Sequence, residues 1–345
     1  MQQSREPFGL DRHLADLYRR NCRQEPAPTP RKPAAFADWQ EAGRRRVAEL
    51  LGIADRPRPE VLRQELLHRR DRGAFVEEKW AVTSDEGIVL PVYFLVPQDR
   101  EILPPVLTFH GHNPSVQYIL GNYPDTATAT AEKARDGNYA EQLAAAGHLV
   151  CAVEQRGFGE RITRSAAGTQ HPNSCRHLAF HYQMLGRTLV GERCRDGMLA
   201  LNLLWGRPET RGTKVAVTGN SGGGTTTFWL GAIEESLDVV VTGCYFCSFA
   251  DSLMTIRHCE CNYVPGAARL FEMGDIASLI APRPQLFIQG EFDDIFPIAA
   301  ARQEFDTVQQ VYAALDIGDR VQMAVRPTGH AYHVGSALAF LQAWM

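Results

Sequence analysis

No stretch of this sequence approaches the roughly 18 uninterrupted apolar residues of a membrane-spanning helix, so none is expected. The first residues, Met1 to Pro7, run into a charged segment with Arg12, Asp16, Arg19 and Arg20. The apolar core of a secretory signal is missing there, and the expectation is a cytoplasmic protein. Charge of one sign is also lacking. Lys and Arg total 36 against 40 Asp and Glu, a net charge of -4, which gives no reason to expect nucleic acid or an anionic membrane as partner. There are no internal repeats, and no low-complexity tract beyond the proline-rich residues 26–33. What remains is ordinary for a globular enzyme: 345 residues, 44% hydrophobic and 22% charged. A chain of that length buries about three quarters of its unfolded surface, enough for one large core and a small appendage.

Eight cysteines occur: Cys22, Cys151, Cys175, Cys194, Cys244, Cys247, Cys259 and Cys261. In a long chain without a leader they read as reduced thiols. Cys244 and Cys247 followed by Cys259 and Cys261 put four soft ligands in a short span, the one zinc candidate among them. Against zinc, Cys244 and Cys247 continue the β-branched run Val239-Val240-Val241-Thr242, and free cysteine favours burial. No metal and no cofactor are therefore expected.

Two regions differ in pattern. Residues 1–72 read as an N-terminal extension, helical and interrupted by prolines, with a helix over 36–51 that stops at Gly52. Arg44-Arg45-Arg46 within that helix reads as a solvated face in preference to a nucleic-acid patch. Residues 73–345 read as one α/β catalytic domain. Runs 74–82 and 88–96 flank the turn Ser84-Asp85-Glu86-Gly87 as an antiparallel edge pair. Short apolar runs then follow at 105–109, 148–153, 214–218, 239–242, 284–288 and 321–325, with helical patterns at 139–147, 193–205 and 299–315 between several of them. Runs buried on both faces and separated by helices mean a mostly parallel, doubly wound sheet with helices on both faces. Residues 161–187 fit no such unit and read as a lid or insert over one end of the sheet.

The chemistry concentrates after three of these strands. Gly219-Asn220-Ser221-Gly222-Gly223-Gly224 lies between a strand and a helix, which is G-x-S-x-G in the context a nucleophile elbow needs. A serine hydroxyl requires a base, and that elbow predicts an acid and then a histidine after later strands. Gly290-Glu291-Phe292-Asp293-Asp294 and Thr328-Gly329-His330 stand there. Ser221, His330 and Asp293 are the expected nucleophile, base and orienting carboxylate. Asp294 and Glu291 are alternatives for the acid, and His333 is a fallback base. An oxyanion hole should use the backbone N–H of Gly222 and one from His110-Gly111-His112-Asn113, assigned to His112. The paired histidines of that loop lack a third ligand at helical spacing. His171, Cys175, His177 and His181 in the insert read as pocket wall or packing.

These residues, with Glu154-Gln155-Arg156-Gly157-Phe158-Gly159, resemble the acetyl xylan esterase and cephalosporin C deacetylase-like α/β-hydrolases and the related dienelactone hydrolase and prolyl oligopeptidase-like group. The resemblance spans about residues 75–345. It implies the α/β-hydrolase fold and a cofactor-free serine esterase that removes small acyl groups, with a small-molecule or carbohydrate ester as partner and room for a homo-oligomer. Two positions depart from the pattern. Gly222 stands where acetyl xylan esterases commonly carry glutamine, and Glu154 where aspartate is usual. Arg156 reads as a structural buttress. The leading expectation is a carboxylic-ester hydrolase working through an acyl-enzyme. Amide, peptide or C–C bond hydrolysis on the same triad is the enzymatic alternative, since a fold does not fix a function. A noncatalytic binding protein on the same scaffold is the third.

Overall fold

The structure, a computed structural model, describes residues 10–23, 27, 33–98, 101–166 and 173–345. Helices α1 (Asp11–Asn21) and α2 (Pro33–Leu51) come first. Strands β1 (Val61–Asp71), β2 (Phe75–Ser84), β3 (Val89–Pro97) and β4 (Pro105–Phe109) follow. Next are α3 (Thr126–Lys133), α4 (Tyr139–Ala145), β5 (Leu149–Val153), α5 (Cys175–Met184), α6 (Leu189–Gly206), β6 (Ala216–Asn220) and α7 (Gly222–Ile233). The chain continues through β7 (Val239–Gly243), α8 (Ala267–Leu270), α9 (Met273–Ser278), β8 (Gln285–Gly290), α10 (Ile298–Ala314), β9 (Val321–Arg326) and α11 (Val334–Trp344).

The strands make one sheet in the order β1-β2-β3-β5-β4-β6-β7-β8-β9. The β1–β2, β2–β3 and β3–β5 pairs are antiparallel, and every pair from β5 to β9 is parallel. This is the doubly wound sheet expected from the alternating apolar runs. All five residues of β4, β5 and β7 are buried, because successive side chains feed opposite faces and both faces are covered. On one face Leu107, Cys151, Val217, Val240 and Phe287 pack with Val47 of α2, Cys194 of α6, Phe228 of α7 and Val308 of α10. On the other, Val106, Val150, Ala216, Val241 and Ile288 pack with Leu143 of α4 and Phe340 of α11. Each fully buried aliphatic or aromatic side chain contributes roughly 1.5–3 kcal/mol, which makes these two layers the main stabilising term.

The structure departs from the sequence reading near the N-terminus. Residues 61–71, assigned there to the extension, form β1, an eleven-residue edge strand along β2. Ten of its residues are exposed, so it lacks the apolar alternation that marks a strand. Cross-strand ion pairs hold it instead: Arg70 to Glu77 at 3.2 Å and Arg69 to Glu78 at 3.7 Å. A charged edge also discourages pairing with another sheet. The arginine triplet is corrected in part. Arg45 and Arg46 are exposed and pair with Glu41 and Glu49 along α2. Arg44 is not part of a solvated face, because it turns inward, donates to the Leu279 carbonyl at 3.0 Å and pairs with Glu235 at 2.9 Å. The proline-rich residues 26 and 28–32 lie outside the described residues, as does His171.

Candidate active site

Ser221 occupies the turn between β6 and α7 with φ 56° and ψ -120°, a left-handed conformation for a residue with a side chain. Such strain costs on the order of 1–3 kcal/mol and persists only when the surroundings enforce it. Here the backbone is pinned on both sides. The Ser221 N–H donates to Gly243 O at 2.9 Å, and its carbonyl accepts from Thr225 N at 2.8 Å. The flanking glycines are sterically required. A Cβ on Gly223 would lie 2.0 Å from Phe109 O, and one on Gly219 would lie 2.6 Å from the Gly223 backbone. β4, β6 and α7 are thus packed backbone to backbone, with the serine at the head of the helix.

Across the cleft, His330 follows β9 and Asp293 follows β8. Asp293 Oδ2 lies 2.7 Å from His330 Nδ1, and its Oδ1 accepts from the N–H groups of Ile295 and Phe296 at 3.1 Å each. The Asp293 carboxylate is fully buried. The structure therefore brings His330 to Asp293 and not to the exposed Glu291 or Asp294. His330 Nε2 is buried and has no hydrogen-bond partner among the described residues. Phe296 stacks on its ring with centroids 5.8 Å apart. Ser221 and His330 line the same cleft of about 200 Å³, together with Gly111, His112, Asn113 and Tyr139.

The loop after β4 brings His112 over the head of α7. A Cβ on Gly222 would lie 2.8 Å from the His112 ring, so this imidazole fills the space a side chain after the nucleophile would need. That accounts for glycine, not glutamine, at position 222. The Gly222 N–H opens α7, where first-turn donors lack an intrahelical acceptor. The His112 N–H makes no backbone hydrogen bond among the described residues. His110 does not face the cleft. It is fully buried, and its Nε2 accepts from Gln155 N at 3.1 Å. Below it, Arg156 forms a two-pronged pair with Asp196 at 2.9 Å per contact and reaches Glu192 at 2.7 Å, a buttress as expected.

The other candidates separate. His333 caps α11, its Nδ1 accepting from Ser336 N at 3.0 Å, and is not among the residues lining the cleft. His177 and His181 stack on each other on the exposed side of α5. Cys244 and Cys247 do not join Cys259 and Cys261. Cys244 donates to Ala331 O at 3.1 Å and Cys247 to Pro297 O at 3.6 Å, so that four-cysteine grouping is not formed. Cys261 instead meets His112. The sequence reading missed Phe296 and His258, whose rings lie 4.9 Å apart. Burial pushes the His258 imidazole down to about 4, which keeps it neutral at physiological pH. Phe296 lies in the Asp293 turn itself, where its N–H donates to Asp293 Oδ1, whereas His258 comes from the loop after β7, remote in sequence from the triad residues.

The Abhydrolase family model matches residues 8–317. A Bacillus subtilis (strain 168) protein, YtaP, provisionally named a hydrolase, is 27% identical over 88% of this chain and 98% of its own. A Bacteroides fragilis protein provisionally named an acetyl xylan esterase superposes with TM-score 0.77 at 17% identity, covering 93% of this chain and 83% of its own. A glucuronoyl esterase from Solibacter usitatus superposes with TM-score 0.67 at 14% identity, covering 92% and 94%.

Proposed function

This chain belongs to the Abhydrolase family, and from that premise we propose that it is a serine carboxylic-ester hydrolase working through an acyl-enzyme on Ser221, His330 and Asp293. One observation carries the reading. His330 commits Nδ1 to a buried carboxylate and leaves Nε2 unpartnered in the cleft that holds the strained serine. A buried polar atom without a partner costs about 1–3 kcal/mol, and a base that must accept a serine proton is a reason to retain it.

Ser221 Oγ attacks the ester carbonyl carbon while His330 Nε2 takes its proton. Asp293 holds the imidazole tautomer and stabilises the cation that forms. The carbonyl oxygen becomes an oxyanion between the N–H groups of Gly222 and His112, each such donor being worth about 2.7–4 kcal/mol. His330 then returns the proton to the departing alcohol. In the second half, His330 deprotonates water, which attacks the acyl-serine and frees the acid.

The cleft of about 200 Å³ suits a short acyl group, and Asn113, Glu132 and Arg135 among its lining residues suit a polar alcohol. The fold neighbours include enzymes named for acetyl xylan and glucuronoyl ester cleavage, which favours a carbohydrate ester as substrate. The test is a panel of p-nitrophenyl acetate, butyrate and octanoate with p-nitroacetanilide beside them. Fastest cleavage of acetate and none of the anilide supports the reading. Anilide turnover equal to that of the ester would shift it to an amidase.

A further inference from the structure

Beside the catalytic cleft, and sharing His112 with it, the fold gathers four metal-ligating side chains from three separate segments. His112 comes from the loop after β4, Cys175 from the first residue of α5, and Cys259 and Cys261 from the loop between β7 and α8. One ligand atom from each lies within 4.8 Å of all the others. Cys261 Sγ is 3.3 Å from both His112 Nε2 and Cys259 Sγ. A tetrahedral zinc ion with bonds of about 2.3 Å to sulfur and 2.0–2.1 Å to nitrogen sets its ligand atoms roughly 3.5–3.8 Å apart. The four atoms sit close to that arrangement already, and we infer that they form a structural zinc site of the Cys₃His type. This revises the expectation of no metal.

A second observation points the same way. Arg193 of α6 is 1% exposed, and its guanidinium touches Cys175 Sγ at 3.2 Å. Its other contacts are the Arg156 carbonyl, at 3.2 and 2.7 Å, and the face of Phe158. No carboxylate pairs with it among the described residues, and its Nη1 has no partner. A buried cation without a counterion costs several kcal/mol. Three thiolates and a neutral imidazole around Zn²⁺ carry one net negative charge, which balances Arg193. A disulfide between Cys259 and Cys261 would leave Cys175 alone to balance the arginine.

With four protein ligands the ion has no open position for water, so it acts by positioning. Binding through Nε2 puts the His112 proton on Nδ1, on the side of Gly222. The ion also fixes the loop whose backbone N–H completes the oxyanion hole. Asn262, next to Cys261, accepts from Thr225 Oγ1 of α7 at 2.6 Å and extends the anchor to the nucleophile helix. The site thereby joins α5 and the oxyanion loop to the elbow.

The test does not depend on the ester-hydrolase reading. Full-length protein purified without chelator is analysed for metals by mass spectrometry, and its zinc is then released with a mercurial thiol reagent in the presence of a colorimetric zinc indicator. About one zinc ion per chain, released as the thiols react, is expected. Cys175→Ser and Cys261→Ser should each lower the content at least tenfold, while Cys22→Ser, outside the cluster, keeps it. Should either variant fail to fold, the release from the native chain still decides. Less than about a tenth of an equivalent of zinc in folded protein would overturn the inference. So would iron in its place, or a Cys259–Cys261 disulfide in the non-reduced peptide map.

Discussion

Asp293→Asn separates orientation from charge in the His330–Asp293 pair. Asp293 Oδ1 accepts two backbone N–H groups at 3.1 Å, whereas Oδ2 faces His330 Nδ1 at 2.7 Å. An asparagine can therefore sit in two ways. With its amide NH₂ towards Ile295 and Phe296, two donors would face two donors and both hydrogen bonds would be lost, at about 1–3 kcal/mol for each group left unsatisfied. The other orientation keeps both and turns the NH₂ to His330 Nδ1, so it wins by at least about 2 kcal/mol. It also forces the imidazole proton onto Nε2, which can then no longer accept from Ser221. The same exchange in a serine protease triad leaves the geometry intact and lowers kcat by about 10⁴. That factor corresponds to roughly 5.4 kcal/mol at 1.36 kcal/mol per decade. The assay is kcat for p-nitrophenyl acetate with the circular dichroism spectrum as a folding control, and Asp294→Asn as the neighbouring comparison. A drop of about three to four decades in the first variant, and less than about twofold in the second, is expected. Asp293→Asn within tenfold of the wild type, and folded, would refute this account of how His330 is oriented.

Further outcomes concern the scaffold. Asp196 is buried between Arg156 and Arg161, and Asp196→Ala would leave Arg161 without a carboxylate and Arg156 with Glu192 alone. Loss of about 3–5 kcal/mol in urea unfolding is expected, and loss below about 1 kcal/mol would show the network to be dispensable. Burial, with the Glu272 charge next, pushes the Glu304 carboxyl up from 4.5 to about 7. Because its folded value lies above the unfolded one, its stabilising contribution is present below about pH 4.5 and is lost as pH rises through 7. Glu304→Gln should therefore match the wild type near pH 4.5 in thermal unfolding and exceed it near pH 8. Equal melting temperatures at both would rule out this linkage.

Much of this arrangement is legible in the sequence where burial leaves a pattern. β4 to β8 are short, largely apolar runs because both of their faces are covered, and the doubly wound sheet follows from that. The elbow is legible because backbone packing around Gly219 and Gly223 tolerates no side chain. His330 and the acidic turn are legible by their order after later strands. The choice of Asp293 over Asp294 rests on which carboxylate turns inward, and this the sequence leaves open. β1 escapes because its stability comes from ion pairs on an exposed edge and not from alternating apolar residues. Arg44 escapes for the opposite reason, as a charged residue drawn inward by a carbonyl and Glu235. The meeting of His112, Cys175, Cys259 and Cys261 has no local spacing to betray it, since only the packing of α5 against the loops beside the elbow creates it.

The central claim is that Ser221 is the nucleophile, and covalent labelling tests it most directly. Wild type and Ser221→Ala are incubated with diisopropyl fluorophosphate, and each is examined by intact mass, peptide mapping and p-nitrophenyl acetate hydrolysis. The account predicts one diisopropylphosphoryl group on the peptide carrying Ser221, loss of hydrolysis in step with labelling, and neither label nor activity in the variant. Hydrolysis by Ser221→Ala at the wild-type rate, or labelling at another residue that abolishes activity, would contradict it.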